Sequence, residues 1–366
     1  MSTSQLLFTS FFAIGLVFFF AGCFIASRPA SGTTEWIKYI CGRKFTFCPA
    51  PQPLTKFDII PMTALTLAAC GVMFVNALFL DHISADAPLF VIGTGVIYLS
   101  HLLFVAAVPL LYLFLKNLTG GYITPVCGTA LMLLDGMSFT MAQNTGTAGA
   151  SLLMLTAIYI AYRYTVSAQI LYLPFVGIAL GLGMVFNSSS VIAVVGIIAV
   201  FIIREAAFYR ENENKRQTAV RSIIFALSCI ILPVGIYVLF IGFTNSFASI
   251  FTAFASDFRL ITGNDILSMK VFSLMVFVGG ICAVPVCIYR ALKAKEGTSL
   301  FTVIIFGVYI LNLFVSDLRG LFPIFTIPAI ACAFSALHTR KLYTWLIAYP
   351  VTAALYLGAV FAFTVM

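Results

Sequence analysis

The chain has 366 residues, of which 62% are hydrophobic and only 9% charged, and its mean hydropathy of +1.10 is far above what a water-soluble core requires. That excludes a soluble globular enzyme. The net charge of +8 would suggest nucleic acid in a soluble protein, but here it gathers in short loops beside apolar runs, where it sets orientation.

Taken in chain order, apolar runs long enough to span a membrane are predicted at about 5–26, 59–80, 91–115, 125–142, 147–162, 169–186, 187–203, 220–242, 267–289, 299–315, 321–337 and 342–364. The polar stretches between them, 27–57, 204–219 and 243–266, are each too short to bury a core. A single all-α integral membrane domain, 1–366, is therefore expected. The first run follows MSTSQ with no basic leader and no clear cleavage site before Arg28, so it reads as a retained helix rather than a signal peptide.

Three basic clusters are predicted to face the cytoplasm: Arg204, Arg210, Lys215, Arg216 and Arg221; Arg290, Lys293 and Lys295; and Arg340 with Lys341. Because Glu205, Glu211 and Glu213 share the first cluster, it reads as a solvated loop rather than a phosphate site. Working back from these clusters places the turns at 316–320, 243–266, 187–190, 143–146 and 81–90 outside. The start of the chain admits two threadings. If 59–80 spans, there are twelve helices and the loop 27–57 is cytoplasmic, which adds five basic residues to the twelve already inside, of 20 in the chain. If 59–80 lies along the outer surface or dips in and returns, there are eleven spans and the N-terminus is inside.

Seven of the nine cysteines lie in apolar runs, where Cys acts as a small hydrophobe. Cys41 and Cys48 bracket the loop CGRKFTFC and can close a small disulfide if that loop faces an oxidising space. No Cys/His spacing suggests zinc, and His82, His101 and His338 are far apart in sequence. No metal or cofactor is expected.

The stretches VPLLYLFLKNL (108–118), LLDGMSF (133–139) and the glycine-containing run 177–203 resemble protein O-mannosyltransferases and the wider group of polyprenyl-phosphate-sugar-dependent glycosyltransferases of the GT-C fold. FDIIPMTALTLAACG (57–71) is similar to that family's FDVHPPLGKLLIALG, and RGLFPIFTIPAIA (319–331) to its late proline-containing helix, in the same order along the chain. The resemblance implies a GT-C-like helical bundle of about eleven spans. It makes 27–90 an external first loop with a juxtamembrane helix, and places Cys41 and Cys48 outside. It also implies sugar transfer from a polyprenyl-phosphate donor to an external acceptor, in a bacterial plasma membrane or the endoplasmic reticulum.

Such transfer needs a carboxylate to take the acceptor's proton and cationic or hydrogen-bonding groups to hold the phosphate. The sequence departs from the family at those positions. No Asp-Glu pair occurs in the first loop, where Glu35 is the sole acid between 27 and 57, and Ile60 stands where the family has a histidine. Gln143 replaces the arginine and Ala148 the aspartate of the SRIAxxD motif, and Asn187 replaces the lysine after the glycine-rich helix. Asp58 and Arg319 persist. The resemblance thus nominates Asp58 and Glu35 as the acids, and Arg319, with Gln143, Asn144 and Asn187, as contacts to the lipid phosphate or sugar.

Each nominee has a plainer reading. Asp135, in the middle of an apolar segment, is either functional or a structural hydrogen bond to a neighbouring helix. His101 is either a proton relay or a neutral interhelical bond. The runs Gln143-Asn144-Thr145 and Asn187-Ser188-Ser189-Ser190 either hold a ligand or form turns. Asp317 and Arg319 can neutralise each other at a helix end, and Asp257, Arg259 and Asp265 read as solvated. Asn117-Leu118-Thr119 and Asn187-Ser188-Ser189 match the glycosylation pattern, the first on the cytoplasmic side and the second too near the membrane. Three functions stay open: a divergent glycosyltransferase; an inactive relative kept as a scaffold or subunit beside a membrane partner; and a transporter or lipid-handling protein. The last lacks an inverted repeat in the sequence.

Overall fold

The computed structural model describes residues 37–40, 43–46, 54–79, 88–92, 95–134, 144–167, 169–212, 215–244, 250, 252, 254, 280–281, 283–294, 297–313 and 326–332. The expected spans 5–26 and 342–364 lie outside these residues, as do Glu35, Cys41, Cys48, Asp135, Gln143 and Arg319.

The described chain is a helical bundle with two short antiparallel hairpins, β1 (Ile37–Ile40) with β2 (Arg43–Thr46) and β3 (Pro88–Ile92) with β4 (Gly95–Tyr98). The helices are α1 (Lys56–Phe79), α2 (Leu99–Thr119), α3 (Ile123–Leu134), α4 (Thr145–Ser167), α5 (Tyr172–Phe186) and α6 (Val191–Asn212). They continue as α7 (Lys215–Ala226), which passes through a π turn at Leu227–Ile231 into α8 (Leu232–Thr244). Then come α9 (Ala283–Leu292), α10 (Gly297–Leu313) and a helical stretch at 326–332. Five segments are long and apolar enough to cross a membrane: Lys56–Phe74, Leu99–Thr119, Thr145–Ser167, Ser188–Glu205 and Thr218–Thr244. The protein is a helical membrane protein, as its composition requires.

Side-chain contacts fix the relative directions of α1, α2, α4, α5 and α6. Asp58 at the start of α1 meets Lys116 near the end of α2, so these two helices are antiparallel. The α2–α3 turn is tight because Gly120 takes a left-handed conformation (φ 70°) and donates its N–H to Lys116 O at 2.9 Å. Asn117 on α2 bonds Tyr159 on α4, so α2 and α4 run parallel, and Phe186 at the end of α5 packs on Gly146 and Gly149 at the start of α4. Tyr164 near the end of α4 meets Arg204 and Glu205 on α6. The bundle thus has two ends. One carries Asp58, Lys116, Arg163 and Arg204; the other carries Asn144, Phe186 and Asn187.

The core is built around α4, nearly all of whose side chains are buried, whereas most of the described side chains of α1 are not, so that α1 lies at the periphery. Uniformly apolar helices pack without a hydrophobic drive between them in lipid, so close backbone approach at small residues becomes decisive. Gly177 and Gly181 on α5 supply it: a Cβ at Gly177 would lie 1.6 Å from Ser228 O in the π turn, and one at Gly181 would lie 3.0 Å from Pro233 Cα.

One sequence-based expectation is corrected. The cluster 204–221 is not a solvated loop. Residues 204–212 continue α6, and α7 begins at Lys215. Arg204 and Glu205 are both buried.

Candidate functional site

Two polar clusters merit comparison, one at each end. At the Lys116 end, the segment Thr55-Lys56-Phe57-Asp58 forms half of a capping box: Asp58 Oδ2 accepts from Thr55 N at 3.0 Å and from Thr55 Oγ1 at 2.8 Å. The other oxygen, Oδ1, meets Lys116 Nζ at 3.0 Å and accepts from Tyr112 OH at 3.2 Å. The ammonium also lies 3.3 Å from the centroid of the Tyr122 ring. Asp58 is fully buried. Its carboxylate is engaged on both oxygens by an ion pair, a phenol and a helix cap, and so has no face open to an acceptor hydroxyl.

Beside it, Asn117 acts as a hub. Its Nδ2 donates to Leu113 O at 2.7 Å and Tyr159 OH at 2.9 Å, while its Oδ1 accepts from Arg163 Nη1 at 3.3 Å and its carbonyl from Tyr162 OH at 3.2 Å. An amide so engaged is no glycosylation site. A third group at this end couples α4 to α6. Tyr164 OH donates to Glu205 Oε1 at 3.1 Å and accepts from Arg204 Nη1 at 2.9 Å, and Arg204 also pairs with Glu205. These interactions keep a buried charge compensated where bare burial would be prohibitive.

At the opposite end, Asn144 caps α4, its Oδ1 accepting from Gly146 N at 2.7 Å and Thr147 N at 3.3 Å. Asn187 caps the next element in the same way: its Oδ1 accepts from Ser189 N at 2.9 Å and from the Ser189 hydroxyl. Ser188, Ser189 and Ser190 are buried there in a single 3-10 turn leading into α6. The two caps are brought together because Gly146 and Gly149 have no side chain to hold the α5 end away; a Cβ at Gly146 would lie 2.9 Å from Phe186 O, and one at Gly149 2.4 Å from the Phe186 ring. Among the described residues of the two polar runs, Asn144 and Asn187 thus serve as helix caps. Asn187→Ala is expected to lower stability by about 1 kcal/mol, and Asn187→Ser to recover most of it, as measured by the melting temperature of the detergent-solubilised protein.

His101 also has a structural post. Its Nδ1 accepts from Tyr98 N at 3.3 Å at the start of α2, and the two rings meet edge to face at 5.7 Å.

The nominated residues are thus divided. Asn144 and Asn187 are brought together, but Asp58 stands at the other end of the bundle, so one pocket does not join it to Asn187. Ile60, where the family has a histidine, is exposed on α1, and Ala148, where the family has an aspartate, is fully buried in α4. The acids among the described residues, Asp58, Glu205 and Glu211, all sit on the Lys116 side. Lys116, Tyr112, Arg163 and Tyr164 were not singled out from the sequence. The T-x-x-D spacing at 55–58 is the local signal that shows Asp58 to be a capping residue.

No protein-family model and no curated protein matches the chain. Among solved structures, it is similar to the crystal structure of the oligosaccharyltransferase of Archaeoglobus fulgidus in complex with Zn and sulfate, at 13% identity and a TM-score of 0.44 over 83% of this chain and 44% of that one. It is also similar to oligosaccharyltransferase AglB from the same organism, in complex with an inhibitory peptide and a dolichol-phosphate, at 11% identity and a TM-score of 0.43 over 94% and 55%. The chain spans about half the length of these structures.

Proposed function

We propose that the chain is a GT-C-type, glycosyltransferase-like membrane protein that takes a sugar from a polyprenyl-phosphate donor, with its transfer site at the Asn187 end. One observation carries this reading. The stretch after Asn144, where the resembled family keeps SRIAxxD, packs directly on the Phe186–Asn187 corner, where that family keeps its lysine. Two motif positions separated by a helical hairpin in sequence are neighbours in space, as a shared site demands. In this reading Gln143, Asn144 and Asn187 line the site with neutral hydrogen-bonding groups, and Arg319 supplies the guanidinium that matches phosphate oxygens. Asp58 is withdrawn as the base because its carboxylate is consumed at the other end.

The second reading, an inactive homologue serving as scaffold or subunit, draws on a specific observation. Both asparagine carboxamides spend their oxygens on helix caps, and every acid among the described residues lies away from that end.

Transfer assayed in proteoliposomes with a polyprenyl-phosphate-linked sugar separates the two. Wild type is expected to transfer above protein-free vesicles, with Arg319→Ala reducing the rate at least 10-fold. Background-level transfer by the wild-type protein overturns the enzymatic reading, and a stoichiometric membrane partner on purification then establishes the scaffold.

A further inference from the structure

We infer that α1 crosses the membrane as the antiparallel neighbour of α2, with its outward face against lipid acyl chains and residues 27–55 on the cytosolic side. This replaces the external first loop that the family resemblance implies; it does not rest on the proposed sugar transfer, and it removes Glu35 as an acid for a transfer site at the Asn187 end.

The geometry ties α1 to α2 at both ends. At one end are the Asp58–Lys116 pair at 3.0 Å, the Tyr112 bond at 3.2 Å and the Thr55 hydroxyl, 3.4 Å from Tyr122 OH. Toward the other end, Ala69 and Met73 are buried in the same core as Leu103, Phe104 and Ala107, and α1 also packs on β4, which leads directly into α2. A helix of 24 residues is about 36 Å long, enough for a hydrocarbon core of about 30 Å. If α2 spans, α1 traverses beside it.

Its surface fits lipid rather than an interface. A helix lying at the headgroups needs a charged face, yet no charged residue occurs from 59 to 79. The outward residues include Phe57, Ile60, Leu67 and Phe74, all exposed. The side follows from charge. From Lys56 to Lys293, every described Lys and Arg (Lys116, Arg163, Arg204 and Arg221 among them) belongs to the end that carries Asp58. The positive-inside rule makes that end cytosolic. Chain continuity then brings Arg28, Lys38, Arg43, Lys44 and Lys56 to the same side.

Thiol labelling of the full-length protein in intact cells tests this with two single-region variants. In a variant keeping only Cys41 and Cys48, reduced beforehand, a membrane-impermeant maleimide is expected to react only after permeabilisation. Labelling in intact cells overturns the cytosolic placement. An epitope inserted after Ser31 provides a second readout, with antibody binding to unpermeabilised cells again overturning it. In a variant keeping only Cys70, which is exposed on α1, impermeant and permeant maleimides alike are expected to fail in intact and permeabilised cells, because acyl chains keep the thiol protonated, and to react once the protein is denatured in detergent. Reaction with either reagent before denaturation places α1 in water, and an oxidative Cys70–Cys70 cross-link places a second copy on this face. Either result overturns the lipid contact.

Discussion

Replacing Lys116 with methionine, which keeps the length of the side chain and removes its charge, is expected to cost about 3–5 kcal/mol of stability, the range found when one partner of a buried ion pair is deleted. The cost arises mainly from what is left behind. Asp58, with no exposed surface, would keep Tyr112 and Thr55 as hydrogen-bond donors but lose the one counter-ion that it pairs with among the described residues. Asp58→Asn is expected to cost about as much as Lys116→Met. The new NH2 only donates, while its neighbours, the Thr55 N–H on one side and the Lys116 ammonium on the other, are donors as well. The buried ammonium is left with the Tyr122 ring, 3.3 Å away, in place of its carboxylate. The exchange Asp58→Lys with Lys116→Asp is expected to recover only part of the loss, because the lysine would then sit in the first turn of α1 and repel its N–H dipoles. Denaturant unfolding of the detergent-solubilised variants measures all three. Wild-type stability in Lys116→Met would show that the pair does not hold α1 to α2.

How much of this was legible beforehand depends on the range of the interaction. The helices 145–167 and 218–244 follow the apolar runs at 147–162 and 220–242, since run length is a local property, whereas the run at 91–115 becomes helix only from Leu99, its start falling in β3 and β4. Asn144 and Asn187 could be read as turn formers for the same reason: both sit at the junction of two apolar runs, and both became helix caps. Facing information was absent. A helix such as α1, apolar on every side, has no polar stripe from which to infer its partner, and the meeting of Asp58 with Lys116 depends on that choice. The family resemblance pulled the other way, toward an outward-facing acid. The charges at 204 and 205 misled by density. Five basic and three acidic residues within a short window resemble a loop, but Tyr164, 41 residues upstream of Glu205, supplies the phenol that lets the first two be buried.

Gly177 offers the sharpest test of the packing. Pro233 has no N–H, so it cannot donate to Ser228 O, its acceptor in the π register of Leu227–Ile231. That carbonyl is left to face α5, where Gly177 alone permits the approach. A Cβ there would stand 1.6 Å from Ser228 O and 2.6 Å from its carbonyl carbon. Because the opposing atoms are backbone, they cannot swing aside as a side chain would, and Gly177→Ala must separate α5 from the π turn. The expected loss is about 3 kcal/mol, at the upper end of ordinary overpacking costs, with Cys229 losing its contact to Leu173 O. Gly71→Ala on α1 and Gly235→Ala on α8 meet nothing within 4 Å. They are expected to be neutral or to stabilise slightly, since alanine is the better helix former. Melting temperatures of the three variants in one detergent decide the matter: if Gly177→Ala melts with the two controls, α5 and the π turn are not in contact, and the glycine pair does not set the approach of α8.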